Sequence, residues 1–206
     1  MGKILRIGVL ASGSGSNLQA IIDNIENGSL PAIIACVITN NASAYALERA
    51  GRHKISALYA DHRQYSGREA YDAALVAILK EHQVDLVVLA GFMRIITPVL
   101  LDAFPASVMN IHPALLPSFP GLHAQRQAID YGAKISGCSV HFVDTGTDTG
   151  PVIIQAAVPV AEGDNEVTLS ARILAEEHRI YSEAIRLFAA GRLKIEGRRV
   201  LVSASA

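Results

Sequence analysis

Apolar runs of strand length alternate with segments of helical periodicity along the first half of the chain. The pattern predicts strands at residues 4–11, 33–39, 55–58 and 85–90. It predicts helices between them at residues 17–27, 44–51 and 68–82. Strands that are apolar on both faces and separated by helices are typical of a parallel sheet. We therefore predict an α/β fold whose first half, residues 1–110, is Rossmann-like.

The second half has a different pattern. Prolines 113, 117 and 120 exclude a regular helix from residues 110–121, which we predict to be a loop. Beyond it the pattern predicts a short helix, two strands, a long amphipathic helix and a terminal hairpin around Gly197, at residues 122–131, 136–143, 152–160, 167–190 and 193–200. The chain has neither an internal repeat nor a low-complexity linker. We therefore expect one domain, residues 1–206, in which residues 111–206 share a mostly parallel sheet with the first half and helices cover both faces.

Composition narrows the class of protein. Of 206 residues, 50% are hydrophobic and 18% are charged, which is typical of a globular protein. The net charge of -1 argues against non-specific nucleic-acid binding. Cys36 and Cys138 form no CxxC pair, which argues against a zinc site built on them and against a disulfide framework. No apolar run approaches the ~18 residues of a membrane span, and the apolar patch at residues 7–11 is too short for a signal peptide. We expect a soluble cytoplasmic protein.

A glycine-rich loop, Gly-Ser-Gly-Ser-Asn at residues 13–17, follows the first strand and opens a helix. Backbone N–H groups at a helix N-terminus can bind an anion. A dinucleotide fingerprint is incomplete here, because Leu18 occupies the third glycine position and residues 39–41 offer no acid for a ribose hydroxyl. No Gly-Lys-Ser/Thr follows, so the loop is not a Walker A motif either.

A small monophosphate fits this loop better, with Gly15, Ser16 and Asn17 holding it. The alternative interpretation is that Ser16 or Asn17 only caps the helix.

Asn110 and His112 lie at the predicted end of a strand, where ligands of open α/β sheets bind. Residues two apart on an extended chain point to the same side. An amide N–H can donate to a developing oxyanion, and an imidazole can move a proton near neutral pH. Without a neighbouring Ser or Cys nucleophile, the pair suggests direct transfer between two bound substrates. His123 and His141, close to this region, remain weaker candidates.

A turn-rich segment, residues 144–151, contains the carboxylates of Asp144 and Asp148. It is compatible with a solvated turn. A calcium loop is disfavoured, because the EF-hand spacing and its terminal Glu are missing. The third interpretation is that one of the two aspartates orients and charges a distant histidine.

Taken together, these stretches resemble the folate-dependent phosphoribosylglycinamide formyltransferases over roughly residues 4–195. The matching motifs are Ser-Gly-Ser-Gly-Ser-Asn-Leu-Gln-Ala at 12–20, Leu-Ala-Gly-Phe-Met-Arg-Ile at 89–95, Asn-Ile-His-Pro-Ala-Leu-Leu-Pro at 110–117, Pro-Gly-Leu-His at 120–123, Ser-Val-His-Phe-Val at 139–143 and Asp-Thr-Gly-Pro at 148–151. The resemblance implies transfer of a formyl group from 10-formyltetrahydrofolate to glycinamide ribonucleotide, without a metal. It implies small-molecule partners only, with no nucleic acid or membrane, and a monomer or homodimer.

The resemblance also implies roles for individual residues. The catalytic set would be Asn110, His112 and Asp148. The phosphate of glycinamide ribonucleotide would lie on Gly15, Ser16 and Asn17, and its ribose on Glu177, with the adjacent Glu176 as the alternative. The folate would be bound by Arg68, Met93, Arg94, Ile95, Ile96, Asn110, Asp144, Thr145, Gly146, Thr147 and Asp148.

Two other functions stay open on the sequence. One is a nucleotide-binding or NAD-dependent regulatory module built on the glycine-rich loop, which would leave the Asn110, His112 and Asp148 set without a purpose. The other is formylation of a different amine.

Overall fold

The computed structural model describes residues 4–204, and the chain divides after Met109 into two compact units. The elements in chain order are β1 (Leu5–Ala11), α1 (Ser16–Glu26), β2 (Ala32–Thr39), α2 (Tyr45–Arg52), β3 (Ala57–Tyr59), a 3-10 turn (His62–Gln64), α3 (Arg68–Glu81), β4 (Leu86–Leu89), α4 (Pro98–Ala103), β5 (Val108–His112), α5 (Ala124–Tyr131), β6 (Ile135–Phe142), β7 (Val152–Pro159), α6 (Glu166–Ala189), β8 (Leu193–Glu196) and β9 (Arg199–Val202). Strand β5 crosses the boundary between the units.

The first unit contains a parallel sheet in the order β3-β2-β1-β4. Strand β1 is central, and its Leu10 pairs with Ile38 of β2 on one side and Leu89 of β4 on the other. Ile7, Val9 and Leu10 are fully buried, which explains why β1 is apolar on both faces. The carboxyl ends of these parallel strands meet at one edge, and the glycine-rich loop leaves β1 at that edge.

The second unit has mixed strand directions. Strands β6 and β7 are antiparallel, as the short turn-rich connection between them requires. Strand β9 then pairs with β7 in parallel and with β8 in a hairpin. Helix α6 packs on β6 and β7, and its Asn165 cap accepts hydrogen bonds from the backbone N–H groups of Val167 and Thr168. The loop between β6 and β7 contains Asp144 and Asp148.

The structure confirms the α/β class and every element that the pattern predicts, with shifts of a few residues at their ends. Two short elements were not predicted: α4 and the 3-10 turn. Helix α5 begins at Ala124 and not at residue 122, because His123 adopts a left-handed backbone (φ 57°). A sheet shared by both halves and helices on both faces stay predictions. Within residues 4–204, no helix combines the length and apolar character that a membrane crossing requires.

Candidate active site

The second unit brings together the two polar residues of β5 and one aspartate of the β6–β7 loop. His112 Nδ1 lies 3.2 Å from Asp148 Oδ2, and Asn110 Nδ2 donates to Asp148 Oδ1 over 3.4 Å. Alternation along the strand places Asn110 and His112 on the same side. These contacts match the interpretation in which an aspartate from elsewhere orients the histidine. They do not match the interpretation of Asp148 as part of a solvated turn, because only 12% of its side chain is exposed.

The imidazole of His112 is buried between two hydrogen-bond acceptors. Its Nε2 lies 2.8 Å from the carbonyl oxygen of Phe119, while its Nδ1 faces the Asp148 carboxylate. A carbonyl oxygen can only accept, and so can an ionised carboxylate. Nε2 therefore donates to Phe119, and Nδ1 faces a carboxylate.

The Asp148 carboxylate is held in its ionised form. Burial alone would raise its pKa, but His141, the Gly121 backbone N–H and His112 together outweigh burial and lower the pKa below its usual value. The Gly121 N–H donates to Asp148 Oδ2 over 2.8 Å. A charged acceptor is thus fixed beside the imidazole.

This lowered pKa predicts a pH-dependent contribution to stability. An acid whose pKa is lower in the folded state stabilises the fold above its unfolded value of about 3.9, and this contribution disappears as the pH falls through the folded value. The free energy of unfolding of the wild type should therefore fall relative to that of an Asp148→Asn variant as the pH drops below about 4. Chemical denaturation of both proteins between acidic and neutral pH measures this difference. A constant difference across that range would contradict the prediction.

His141, one of the weaker candidates from the sequence, lies against the same group. It is buried, and its Nδ1 donates to the carbonyl oxygen of Phe142 over 2.9 Å. Its Nε2 lies 3.2 Å from Asn110 Nδ2 and 3.6 Å from Asp148 Oδ1, so His141 contacts both of these residues. His123, in contrast, is exposed and faces Glu166, with 3.6 Å between Nδ1 and Oε1.

The glycine-rich loop lines a separate cavity in the first unit. The cavity has a volume of about 210 Å³ and is lined by residues 12–17 together with Ala90, Gly91 and Met93. Gly15 is the N-cap of α1, in the left-handed region at φ 70°, and helix α1 begins at Ser16. The alternative in which Ser16 or Asn17 caps the helix is therefore wrong. A cap without a side chain leaves the N–H groups of the first turn available to a ligand.

Neighbouring side chains hold this loop in shape. Ser12 Oγ donates to Asn40 Oδ1 over 2.7 Å and accepts from the Met93 N–H over 2.9 Å. Arg49 Nε donates to the Ser14 carbonyl oxygen over 2.9 Å. At Gly15 a Cβ would lie 2.9 Å from the Cβ of Ala46, so only glycine fits between the loop and α2. The loop is thus formed in advance and open on the side of the cavity.

Residues predicted to bind folate in the first unit lie on α3 and on the segment after β4. Arg68 is the first residue of α3, and the Arg94 guanidinium lies over the ring of Tyr71 with 5.2 Å to its centroid. Met93 and Ile95 are exposed apolar side chains, whereas Ile96 is buried. Exposed apolar groups next to a cation are suited to an aromatic ligand.

Asp72, which the sequence analysis missed, holds this segment in place. The residue is almost fully buried on α3, and one oxygen of its carboxylate accepts from the Thr97 N–H over 2.6 Å and from the Thr97 hydroxyl over 2.8 Å. Burial raises the pKa of Asp72, and the two Thr97 hydrogen bonds and the charge of Arg94 oppose that shift. The end of the segment that carries Arg94 is therefore anchored to α3.

In the second unit, the two aspartates of the β6–β7 loop have different partners. Asp144 Oδ1 accepts from the Gly146 N–H over 3.0 Å and from the Thr149 hydroxyl over 2.6 Å, so this carboxylate is used inside the loop. Residues 145–147 are exposed. Within the described part of the chain, no three His, Cys, Asp or Glu side chains converge as metal ligands would.

Glu177 and Glu176 are separated by the two faces of α6. Glu177 is buried on the face that packs on the strands, and its charge contributes, after burial, to raising the pKa of Cys138 to about 12. Glu176 lies toward solvent and pairs with Arg179, with 2.6 Å between Oε2 and Nη2. The geometry therefore favours Glu177 as the residue that faces the interior.

Comparison with known proteins gives the class to which this fold and site belong. The chain belongs to the formyl transferase family, whose model matches residues 5–185. It is therefore a formyl-transferring enzyme with the α/β fold of that family, which excludes the regulatory-module interpretation.

Individual relatives narrow the class further. The chain is 46% identical over 191 residues to phosphoribosylglycinamide formyltransferase of Escherichia coli, covering 93% of this chain and 90% of that protein. It is also 46% identical to the trifunctional purine biosynthetic protein adenosine-3 of Drosophila pseudoobscura, but it spans only 14% of that relative's length. The solved glycinamide ribonucleotide transformylase 1 of Symbiobacterium toebii superposes with a TM-score of 0.97 at 58% identity, covering 98% of this chain and 95% of that one.

Proposed function

We propose that this enzyme transfers the formyl group of 10-formyltetrahydrofolate to the amine of glycinamide ribonucleotide in purine biosynthesis. The observation that carries the proposal is the buried contact of Asp148 with both His112 and Asn110 in a member of the formyl transferase family. The group offers two N–H donors and a fixed negative charge but contains no Ser or Cys nucleophile. It is therefore suited to direct attack of an amine on the formyl carbon.

The proposed reaction uses these residues to stabilise charge and to move a proton. As the new C–N bond forms, the formyl oxygen becomes an oxyanion, and Asn110 Nδ2–H and a His112 N–H donate to it. The proton of the attacking amine then reaches the leaving N10 nitrogen, through His112 or an ordered water, and the old C–N bond breaks. Loss of one such donor typically costs ~3–4 kcal/mol of transition-state stabilisation.

The proposed step requires His112 to exchange its hydrogen bond to Phe119 for one to the substrate. His112 Nε2 donates to the Phe119 carbonyl oxygen, and Nδ1 is engaged by Asp148. For Nε2–H to reach a substrate oxygen, it must be redirected from Phe119 while Asp148 keeps the other N–H. We infer that a substrate oxygen replaces the Phe119 carbonyl as the acceptor of this N–H.

The remaining residues are proposed to bind the two substrates. Gly15, Ser16 and Asn17 hold the phosphate, and Glu177 meets the ribose hydroxyls. The folate is held by the residues named for it in the sequence analysis. Residues 144–148 act through backbone groups, and Arg68 and residues 93–96 line the site. No metal is required by this scheme. A cytoplasmic location and a monomeric or homodimeric state stay predictions.

A direct assay tests this function. The purified protein is mixed with 10-formyltetrahydrofolate and glycinamide ribonucleotide, and the loss of formyl-folate is followed together with the formylated product. Parallel reactions replace the acceptor by water alone, glycinamide or an amino sugar nucleotide. Transfer that requires glycinamide ribonucleotide supports the proposal. Equal turnover with another amine would establish the alternative that the sequence left open.

Replacing Asn17 by Ala should act on one substrate only. The KM for glycinamide ribonucleotide should rise by about tenfold or more while kcat changes little, because the phosphate is remote from the reacting amine. The KM for the folate should stay within error. Steady-state kinetics with each substrate varied in turn measures this. Arg49→Ala, which removes the hydrogen bond to the Ser14 carbonyl oxygen of the same loop, serves as a comparison. A larger effect on the folate KM would assign the loop to the other substrate.

A further inference from the structure

The loop that carries Asp148 is closed by a side-chain bond that formyl transfer does not use. Thr149 Oγ1 donates to Asp144 Oδ1 over 2.6 Å, and the Gly146 N–H donates to the same oxygen over 3.0 Å. The two bonds tie the last turn of the loop to its first residue. Asp148 lies inside the closed segment, directly before Thr149.

Asp148 requires this support because of its backbone. Its φ of 53° lies in the left-handed region, which residues other than glycine enter only at a cost. Such conformations persist where the surrounding contacts determine them. The Gly121 N–H holds the carboxylate of Asp148, whereas the bond between Thr149 and Asp144 fixes the backbone on which that carboxylate is mounted.

A third residue holds the loop from outside. Arg198 Nη2 donates to the carbonyl oxygen of Thr149 over 2.8 Å. Arg198 lies in the turn of the β8–β9 hairpin, and the next residue, Arg199, pairs with Val152 at the start of β7. The hairpin is therefore anchored to the strand that follows the loop, and it reaches back to the residue next to Asp148.

We propose that Asp144, Thr149 and Arg198 form a clasp that positions Asp148 against His112. These are positioning residues, because each acts through the backbone of the loop and not on the reacting atoms. The kinetic consequences of the clasp rest on the proposed function, but its effect on the geometry of Asp148 does not. The clasp gives a role to the carboxylate of Asp144. It also gives one to Thr149 and Arg198, for which the sequence analysis predicted none.

Hydrogen exchange at Gly121 tests the clasp without any substrate. The Gly121 N–H donates to Asp148 Oδ2, so its exchange rate reports whether this carboxylate is in place. Thr149→Val keeps the shape of the side chain but removes the donor. It should speed exchange at Gly121 by about tenfold, and Thr149→Ser should restore the wild-type rate. Arg198→Ala should speed exchange by a smaller factor, whereas the matched control Arg199→Ala should leave it unchanged.

Kinetic measurements together with thermal unfolding distinguish a positioning role from a loss of stability. In Thr149→Val we expect kcat to fall by about tenfold, with the KM for the phosphate-bearing substrate and the midpoint of thermal unfolding close to wild type. Thr149→Ser should recover kcat. A merely structural role would lower the unfolding midpoint and would not give this separation.

Gly146 offers an independent way to break the same bond. A Cβ on Gly146 would lie 2.0 Å from Thr149 Oγ1, so Gly146→Ala should displace the hydroxyl from Asp144. Thr149→Ala, which removes the hydroxyl and leaves room for the new methyl group, should speed exchange at Gly121, and Gly146→Ala should do so to the same extent. Adding Gly146→Ala to Thr149→Ala should increase the rate no further.

Two outcomes would overturn the clasp: wild-type exchange at Gly121 in both Thr149→Val and Arg198→Ala, or failure of Thr149→Ser to restore it. If the exchange results hold but the protein forms no formylated glycinamide ribonucleotide, the clasp stands and the proposed function fails.

Discussion

Asp148→Asn is expected to reduce kcat by roughly two to three orders of magnitude. The substitution preserves the shape of the side chain but removes the negative charge that faces His112 Nδ1 at 3.2 Å. Without that charge, His112 loses the ionised partner that the proposed mechanism uses. KM values for both substrates should change little, because the lost interaction acts mainly in the transition state.

Steady-state kinetics provide the measurement, and His112→Ala provides the matched comparison. The single variants should lose comparable activity, and the double variant should be little worse than either, because the two residues act as one unit. An Asp148→Asn variant with near-wild-type kcat would show that the pairing does not serve catalysis. Asp144 or a solvent path for the proton would then be the better hypothesis.

Asp72→Ala is expected to destabilise the protein by about 2–4 kcal/mol, since it leaves the N–H and the hydroxyl of the buried Thr97 without their acceptor. Thermal unfolding should shift down by roughly 5–10 °C. The activity lost first should be that measured at low folate concentration, because Thr97 ends the segment that carries Arg94. Calorimetry together with the folate KM measures both effects.

Asp72→Asn is the matched control, since its amide oxygen can still accept from Thr97 and the substitution should cost less than Ala. The raised pKa of Asp72 also determines in which direction its contribution to stability changes with pH. An acid whose pKa is higher in the folded state lowers stability as the pH rises from its unfolded value of about 3.9 through the folded value. The advantage of the wild type over Asp72→Asn should therefore be greater in acid than at neutral pH. Equal stability of Asp72→Ala and the wild type would contradict the role given to Thr97.

The sequence predicted the elements that depend on long apolar patterns. Strand β1 is a continuous apolar run of strand length, and helix α6 has many positions at helical spacing, so the pattern along the chain indicates the type of each. Helix α4 and the 3-10 turn at His62–Gln64 are too short for a period to show. The start of α5 was misplaced because its limit depends on the left-handed backbone of His123, which no hydrophobic pattern records.

Some residues of the candidate site could be predicted from the sequence, whereas others could not. Asn110 and His112 could be paired from the sequence because alternation along a strand fixes their common side. That Asp148 joins them rested on a family resemblance, since only the folded loop brings it within 3.2 Å of His112. Asp72 had no signal at all, because an aspartate on an amphipathic helix ordinarily faces solvent, and only its burial shows that it holds Thr97. The acceptor role of the Phe119 carbonyl was equally out of reach, because a backbone group carries no mark in the sequence.

The short span of chain that contains the proposed catalytic group has a consequence for folding. Asn110 and Asp148 are 38 positions apart, whereas Ser12 and Met93, which meet beside the glycine-rich loop, are 81 apart. Loop-closure entropy rises by about 0.6 kcal/mol for each doubling of loop length. Forming the contacts of this group therefore costs less loop-closure entropy, because its residues encounter one another more often in the unfolded chain. In refolding experiments, the protection of Gly121 should accordingly precede that of Met93.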